Sequence, residues 1–241
     1  MNTLAIDTST YLGSVAVLVD GEVRAELSAW VRARHGEVLL PHVEQALTLA
    51  GLGIGDVDLL AVGLGPGSFT GVRIGVATVK GLAIGRSLPV VGVVSLRVLA
   101  RGLGPFGGPL CPVVDAHKGE VYVGLYAPGN PAGPLDTLLT PFHAPPAEAA
   151  RRLREAVGAR SPVLCGDGLR RYGEAFLAHL GQPHAVVPAV HDHPRAALLA
   201  LEAEYKLERE GPSDLAALEP VYVRPSDAVL PVPVPVAGAD E

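Results

Sequence analysis

The chain has 241 residues, 49% of them hydrophobic and only 18% charged, which excludes a disordered polymer and suits one compact protein of two modest lobes. Its formal net charge of −6 argues against a protein that grips RNA by itself, because phosphate binding calls for a basic stripe. The two cysteines, Cys111 and Cys165, sit beside apolar runs at no metal-like spacing and are expected to be buried free thiols in a reducing cytoplasm.

The N-terminus enters a strand pattern at once, with no basic region or cleavage site before it, so a soluble cytoplasmic protein without membrane contact is expected. LAIDTST (4–10), SVAVLVDG (14–21) and EVRAELSAW (22–30) read as three strands. The pair Asp20-Gly21 between β-rich runs is a strong hairpin signal. HGEVLLPHVEQALTLAGLG then reads as a helix starting between His35 and Glu37, with Leu39, Val43, Ala46 and Ala50 on one stripe. Pro41 is tolerated only in a first turn, and Gly51 with Gly53 ends the element.

DLLAVGLGPGSFTGVRIGVATVKGLAIG supplies a strand, a glycine-rich turn and a helix whose stripe is Val72, Val76, Val79 and Ala83. Gly71, Gly75, Gly81 and Gly85 leave that helix nearly bare. Glycine costs about 0.8–1 kcal/mol relative to alanine inside a helix, so their number predicts a closely packed neighbouring backbone. PVVGVVS (89–95) closes the first lobe as a buried strand.

The pattern then restarts. VVDAHKGEVYVGLY (113–126) is a second hairpin turning between His117 and Glu120. A proline-rich connection (128–147) leads to the helix PAEAARRLREAV, then strand, glycine turn and helix in SPVLCGDGLRRYGEAF. A longer helix, PRAALLALEAEYKLEREG, carries Leu198, Leu201 and Tyr205 on one side. The basic residues Arg151, Arg152, Arg154, Arg160, Arg170 and Arg171 alternate with acids and read as a solvated face. The expected organisation is a first lobe over 1–100, a smaller second lobe over 101–224 and an extended, flexible proline-rich tail over 225–241. Each lobe opens on antiparallel strands and continues in β/α units, which suggests architectural duplication.

GPGSFTGVRIG (65–75) is the most informative segment. It sets Gly65, Gly67, Ser68, Thr70, Gly71 and Arg73 where free helix amides point outward, an arrangement suited to an anion, with Ser68 or Thr70 as helix cap. The alternative is a tight turn and nothing more. It is neither a Walker loop, a dinucleotide fingerprint nor a nucleophile elbow. IDTST places Asp7, Thr8 and Ser9 at the end of a buried first strand, where actin-like ATPases touch phosphate and metal. A simple strand-end turn explains it equally well.

LAIDTST, GLGPGSFTGVRIG, PVVDAHKGEVYVG and PVYVRPSD (220–227), in that order over residues 1–225, resemble the TsaB (YeaZ) family. The resemblance implies an α/β, two-lobed actin-like ATPase fold (ASKHA, ribonuclease H-like). It also implies a role as non-catalytic partner of a catalytic paralogue, TsaD, which transfers threonylcarbamoyl to N6 of adenosine-37 in tRNAs reading ANN codons. By the same resemblance TsaE, a small ATPase, would join that assembly, the chain alone would form homodimers, and tRNA would be reached only through the complex. The first-lobe helices would supply the interface, through Leu39, Leu40, Val43 and Leu47 on one helix and Gly75, Val79 and Leu82 on the other, with His35 at the rim. The competing expectation is that these stripes cover the sheet.

No catalytic or metal-binding residue is assigned. His35 and His42 stand seven apart, and no HxxxH pair occurs. No cofactor is required; weak ATP or ADP binding through Asp7, Thr8 and Ser9 is the open alternative. Two enzyme classes compete with the scaffold reading. A stand-alone kinase needs an acid in the second lobe, for which Asp115 and Gly166-Asp167-Gly168 are the candidates. A metallopeptidase needs a metal pair or an activated nucleophile, and neither stands out.

Overall fold

The computed structural model describes residues 1–31, 35–104, 107–128, 133–183 and 185–224, and every side chain among them except that of His35. The tail expected over 225–241 and the His35 rim contact therefore lie outside the described residues.

Strands β1 (Asn2–Asp7), β2 (Leu12–Val19) and β3 (Glu22–Trp30) form the predicted antiparallel meander. Asp20 and Gly21 turn between β2 and β3 with φ of 50° and 78°, the paired left-handed conformation that an Asp-Gly hairpin turn demands. Helix α1 (His35–Leu49), strand β4 (Leu59–Gly63), helix α2 (Phe69–Ile84) and strand β5 (Val90–Val93) follow. β4 and β5 add in parallel, giving the sheet order β3-β2-β1-β4-β5. Pro41 departs from expectation, since it lies in the second turn of α1 rather than the first. Its ring is on the exposed face, where a lost amide hydrogen bond is cheapest.

The second lobe repeats the plan. Strands β6 (Leu110–His117), β7 (Glu120–Tyr126) and β8 (Thr137–Ala144) are antiparallel; helix α4 (Pro146–Val157), strand β9 (Val163–Cys165), helix α5 (Asp167–Leu180) and the short strand β10 (Ala185–Val186) complete it. The order β8-β7-β6-β9-β10 mirrors the first sheet strand for strand. This is the two-lobed actin-like α/β arrangement. Strand β8 falls inside the segment read as a proline-rich connection, a correction. Pairing with β7 overrides the local breakers.

Each sheet is covered on both faces. α1 and α2 pack on one side of the first sheet, and α4 and α5 on one side of the second. The remaining faces are filled crosswise. Helix α3 (Ser95–Arg101), absent from the sequence reading, lays Leu96, Leu99 and Ala100 on the second sheet. Helix α6 (Ala196–Glu210) returns to the first sheet and buries Ala196, Leu199, Ala200 and Ala203. This stripe lies beside the Leu198, Leu201 and Tyr205 side noted in the sequence, of which Leu198 packs partly buried on the same cluster, and its small side chains let the helix lie close to Ala5, Ala16 and Ala61. Residues 213–221 then run along the first sheet, with Ser213 N–H donating to Val90 and Val221 N–H to Leu64. Packing therefore crosses the expected boundary between 1–100 and 101–224. Helix α3 lays most of its apolar face on the second sheet but Val98 on the first, α6 packs on the first sheet, and Val223 with Arg224 returns to the second lobe.

Cys111 and Cys165 are both buried but belong to opposite faces of the second sheet, one packed under α4 and α5, the other beside α3. A disulfide between them is excluded by that geometry. Among the described residues no helix is long and apolar enough to cross a membrane.

Candidate functional site

The carboxyl ends of β1 and β4 meet the cleft between the lobes, and the glycine-rich loop lies directly over them. Asp7, 1% exposed, accepts hydrogen bonds at Oδ1 from Ser9 N–H (2.8 Å) and Ser9 Oγ–H (2.6 Å). Its Oδ2 accepts from Ser95 Oγ–H at 2.8 Å, and Ser95 Oγ in turn accepts the Gly65 amide at 3.0 Å. Thr8 Oγ–H donates to the Gly71 carbonyl at 2.7 Å. Ser68 N–H donates to the Ser9 carbonyl at 2.7 Å.

The glycines are what permit this closeness. A Cβ on Gly71 would stand 2.1 Å from the Thr8 carbonyl oxygen, and one on Gly67 the same distance from that of Ser9. Gly75 presses on Thr8 Oγ1. Gly65 takes φ +78° on entering the loop, a conformation open to glycine. The predicted close backbone is therefore the end of β1. Gly81 and Gly85, by contrast, face open space, and their inclusion in that expectation is corrected.

Asp7, Thr8 and Ser9, the residues expected to offer at most a weak nucleotide contact, lie beneath the glycine-rich loop. All three are buried, with the Asp7 carboxylate and the Thr8 and Ser9 hydroxyls hydrogen-bonded to one another, to the loop and to α3. Ser9 lines a small pocket at the cleft with Thr10, Ser68, Asp115 and Asp167. Ser68 is the cap of α2, its Oγ accepting the Gly71 amide at 3.2 Å, and Val72 N–H donates to the Ser68 carbonyl. Thr70 is exposed and caps nothing.

Arg73 lies on the outer face of α2, its guanidinium 3.7 Å from the Phe69 ring centre and its Nε–H donating to Tyr222 Oη at 2.8 Å. Tyr222 belongs to a strap that crosses the cleft and ends with Arg224 donating to the Ala116 carbonyl at 2.9 Å. Beneath it, Leu64, Phe69, Val72, Tyr122 and Val221 wall a cavity of about 320 Å³. The sequence noted PVYVRPSD as a motif but held no signal for this contact, since 149 residues separate Tyr222 from Arg73.

The interface residues divide. Leu39, Val43, Leu47 and Val79 point inward and join the core over the first sheet, so the apolar seam proposed from them is corrected: they cover the sheet. Gly75 is buried against Thr8 and Leu82 half-buried. Only Leu40, 54% exposed, faces outward. Leu49, Phe69 and Ile84 are the other large apolar side chains exposed on α1 and α2. A glutamate at Val79 is expected to unfold the protein, since an unpaired charge would enter the core at a cost of several kcal/mol; a wild-type urea midpoint would contradict this placement.

In the second lobe Asp115 and Asp167 do not form a reactive pair. Asp115 accepts from His117 N–H at 2.8 Å and pairs with Arg171 at 3.0 Å. Asp167 accepts the Asp115 amide at 2.9 Å, and burial raises its carboxyl above the ordinary value. Among the described residues no three His, Cys, Asp or Glu side chains converge to hold a metal.

Residues 29–133 match the model of the family described as "TsaD: tRNA N6-adenosine threonylcarbamoyltransferase". A Bacillus subtilis (strain 168) protein named "tRNA threonylcarbamoyladenosine biosynthesis protein TsaB" is 32% identical over 228 residues, covering 95% of this chain and 96% of the relative. The chain belongs to the TsaB family. An Escherichia coli (strain K12) TsaB is 44% identical over 128 residues, a match spanning 52% of this chain and 55% of that TsaB. The solved structure "YeaZ from Pseudomonas aeruginosa" is 31% identical, with a TM-score of 0.80 over 92% of this chain and 99% of that one. The Bacillus subtilis TsaB match runs through both lobes, whereas the TsaD model stops at residue 133, between β7 (Glu120–Tyr126) and β8 (Thr137–Ala144).

Proposed function

We propose that this chain is the non-catalytic, partner-activating subunit in tRNA threonylcarbamoyladenosine biosynthesis, working in the cytoplasm by heterodimerising with a catalytic TsaD paralogue. One observation carries the reading: the strand end that would face a ligand is closed by the glycine loop, with Asp7 1% exposed and its hydrogen bonds directed inward. The relatives named for this pathway support it. TsaE would join the pair, tRNA would be held by the assembly rather than by this acidic chain, and no nucleotide is needed here.

The contact with TsaD, and the homodimer formed without it, would use the outward faces of α1 and α2. Leu40, Leu49, Phe69 and Ile84 are exposed there at 45–72%. Exposed large apolar side chains, together with Arg73 held over the Phe69 ring on the same helix, are residue types that interface cores favour.

The test is tRNA modification by purified TsaD and TsaE with and without this chain. Activity is expected only when it is present, and equal activity without it would overturn the proposal. Leu40→Glu with Ile84→Glu is expected to keep the fold, both sites being exposed, while weakening co-purification with TsaD roughly tenfold or more.

A further inference from the structure

Beside β3 (Glu22–Trp30) the lobes leave an open cleft of about 620 Å³, lined by Leu12, Ser28, Trp30, Asp167, Arg170 and His193 among others. Most of its charges are already matched. Arg170 binds Asp192 through two nitrogens, at 2.6 and 2.9 Å, and Arg195 binds Glu26 likewise, at 3.1 and 2.6 Å. Asp192 is further held by the Gly166 amide at 2.9 Å, and Asp115 by Arg171.

Asp167 differs from the other carboxylates. Its one hydrogen bond is the Asp115 amide at Oδ1, and among the described residues it enters no ion pair. Its place at the start of α5 (Asp167–Leu180) gives it a structural role at the positive end of a helix. That role alone would lower its pKa, yet burial raises it. The carboxylate is partly desolvated and lacks a counter-charge.

The cleft also carries an aromatic side chain, Trp30, with Tyr11 next to it. Trp30 is 56% exposed, and Tyr11 lies beside it with ring centres 5.8 Å apart and planes tilted by 33°. The His193 ring meets Trp30 edge-on at 5.3 Å, and its Nδ1 shares a 3.2 Å hydrogen bond with Thr10 Oγ1. Burial keeps His193 below the ordinary imidazole value, so near neutral pH it is an uncharged wall rather than a competing cation.

We propose that this cleft receives an organic cation, an ammonium or guanidinium group lying over the Trp30 and Tyr11 faces and pairing with Asp167. Aromatic faces attract such cations, and the attraction grows as water is excluded. A carboxylate with an unmatched charge completes the pair. An anion would find the arginines here already engaged, and a neutral ring would stack on Trp30 but leave Asp167 unmatched. The proposal stands independently of the role in tRNA modification.

Two sources share the chemistry: a small free polyamine, and a lysine or arginine side chain of a partner protein. Trp30 is the only tryptophan, so intrinsic emission reports on this cleft. Titration of the full chain with spermidine, and separately with a capped Gly-Arg-Gly peptide, is done at constant ionic strength. The expected result is a saturable emission change with at least one of them. Spermidine alone identifies a free polyamine, the peptide alone a partner side chain, and both a site selective only for charge.

Asp167→Asn should weaken binding roughly tenfold at unchanged circular dichroism. If that variant does not fold, Trp30→Ala, at an exposed position, should lower calorimetric affinity by a similar factor. Emission that merely tracks sodium chloride, or affinity indifferent to whichever of the two variants folds, overturns the proposal.

Discussion

Glu202→Ala is expected to destabilise the protein by about 3–5 kcal/mol, a larger loss than most single substitutions produce. Glu202 lies on α6 (Ala196–Glu210), its side chain 1% exposed, and it binds Arg101, itself 8% exposed, at the end of α3 (Ser95–Arg101). The Arg101 Nε–H donates to Glu202 Oε1 at 2.6 Å, and Arg97 approaches the other oxygen at 3.5 Å. Arg101 also donates to the Gly133 carbonyl.

These two helices are the crossing pieces of the fold, α3 on the second sheet and α6 on the first, so the ion pair fastens one lobe to the other. Removing the carboxylate leaves a guanidinium stranded away from water, which is where the cost arises. For a chain of this size the thermal midpoint should fall by roughly 6–20 °C. The double variant Arg101→Met with Glu202→Leu should recover most of the loss, because it removes both charges together. Urea unfolding checks both; a single-variant loss below about 1 kcal/mol would show the pair to be far better hydrated than its burial implies.

That crossing was invisible in the sequence, for a physical reason. The meander, the Asp-Gly turn, α1, α2 (Phe69–Ile84), α4 (Pro146–Val157) and α5 are specified by local periodicity and turn chemistry, and each was legible. α3 is only seven residues long and follows β5 (Val90–Val93) without a polar break, so it reads as a continuation of the strand. The inner stripe of α6 is mostly alanine, with Leu199 alone among larger residues, and periodicity weighs alanine less than leucine. The side of Leu198, Leu201 and Tyr205 therefore stood out, although only its Leu198 packs, partly buried, against the first-sheet cluster.

The site followed the same division. Sequence picked out Asp7, Thr8, Ser9 and the glycines as neighbours in function, and they are neighbours in space. It had no means of telling whether the strand end and the loop flank a ligand or seal against each other, because that depends on a separation of a few ångströms. Residues brought in from afar, such as Ser95 to Asp7, Tyr222 to Arg73 and His193 to Trp30, carry no local signature at all.

The seal itself can be tested by sign rather than by size alone. In an ordinary helix Gly→Ala stabilises by about 0.8–1 kcal/mol, and Gly81→Ala, whose new methyl would face open space, should gain that amount. Gly71→Ala sits on the same helix and should do the opposite. Its methyl would lie 2.1 Å from the Thr8 carbonyl oxygen, a backbone atom that moves only if β1 (Asn2–Asp7) and α2 part. Overpacking of this kind costs about 1–3 kcal/mol and sometimes more, and here it also strains the Thr8–Gly71 hydrogen bond. Gly75→Ala should fall between the two, since the atom in its way is the Thr8 hydroxyl, which can rotate. Urea midpoints at constant m-value give the order directly. If Gly71→Ala were as stable as Gly81→Ala, β1 and α2 would have room between them. A phosphate could then reach Asp7 and Thr8, and the chain would have room for chemistry of its own.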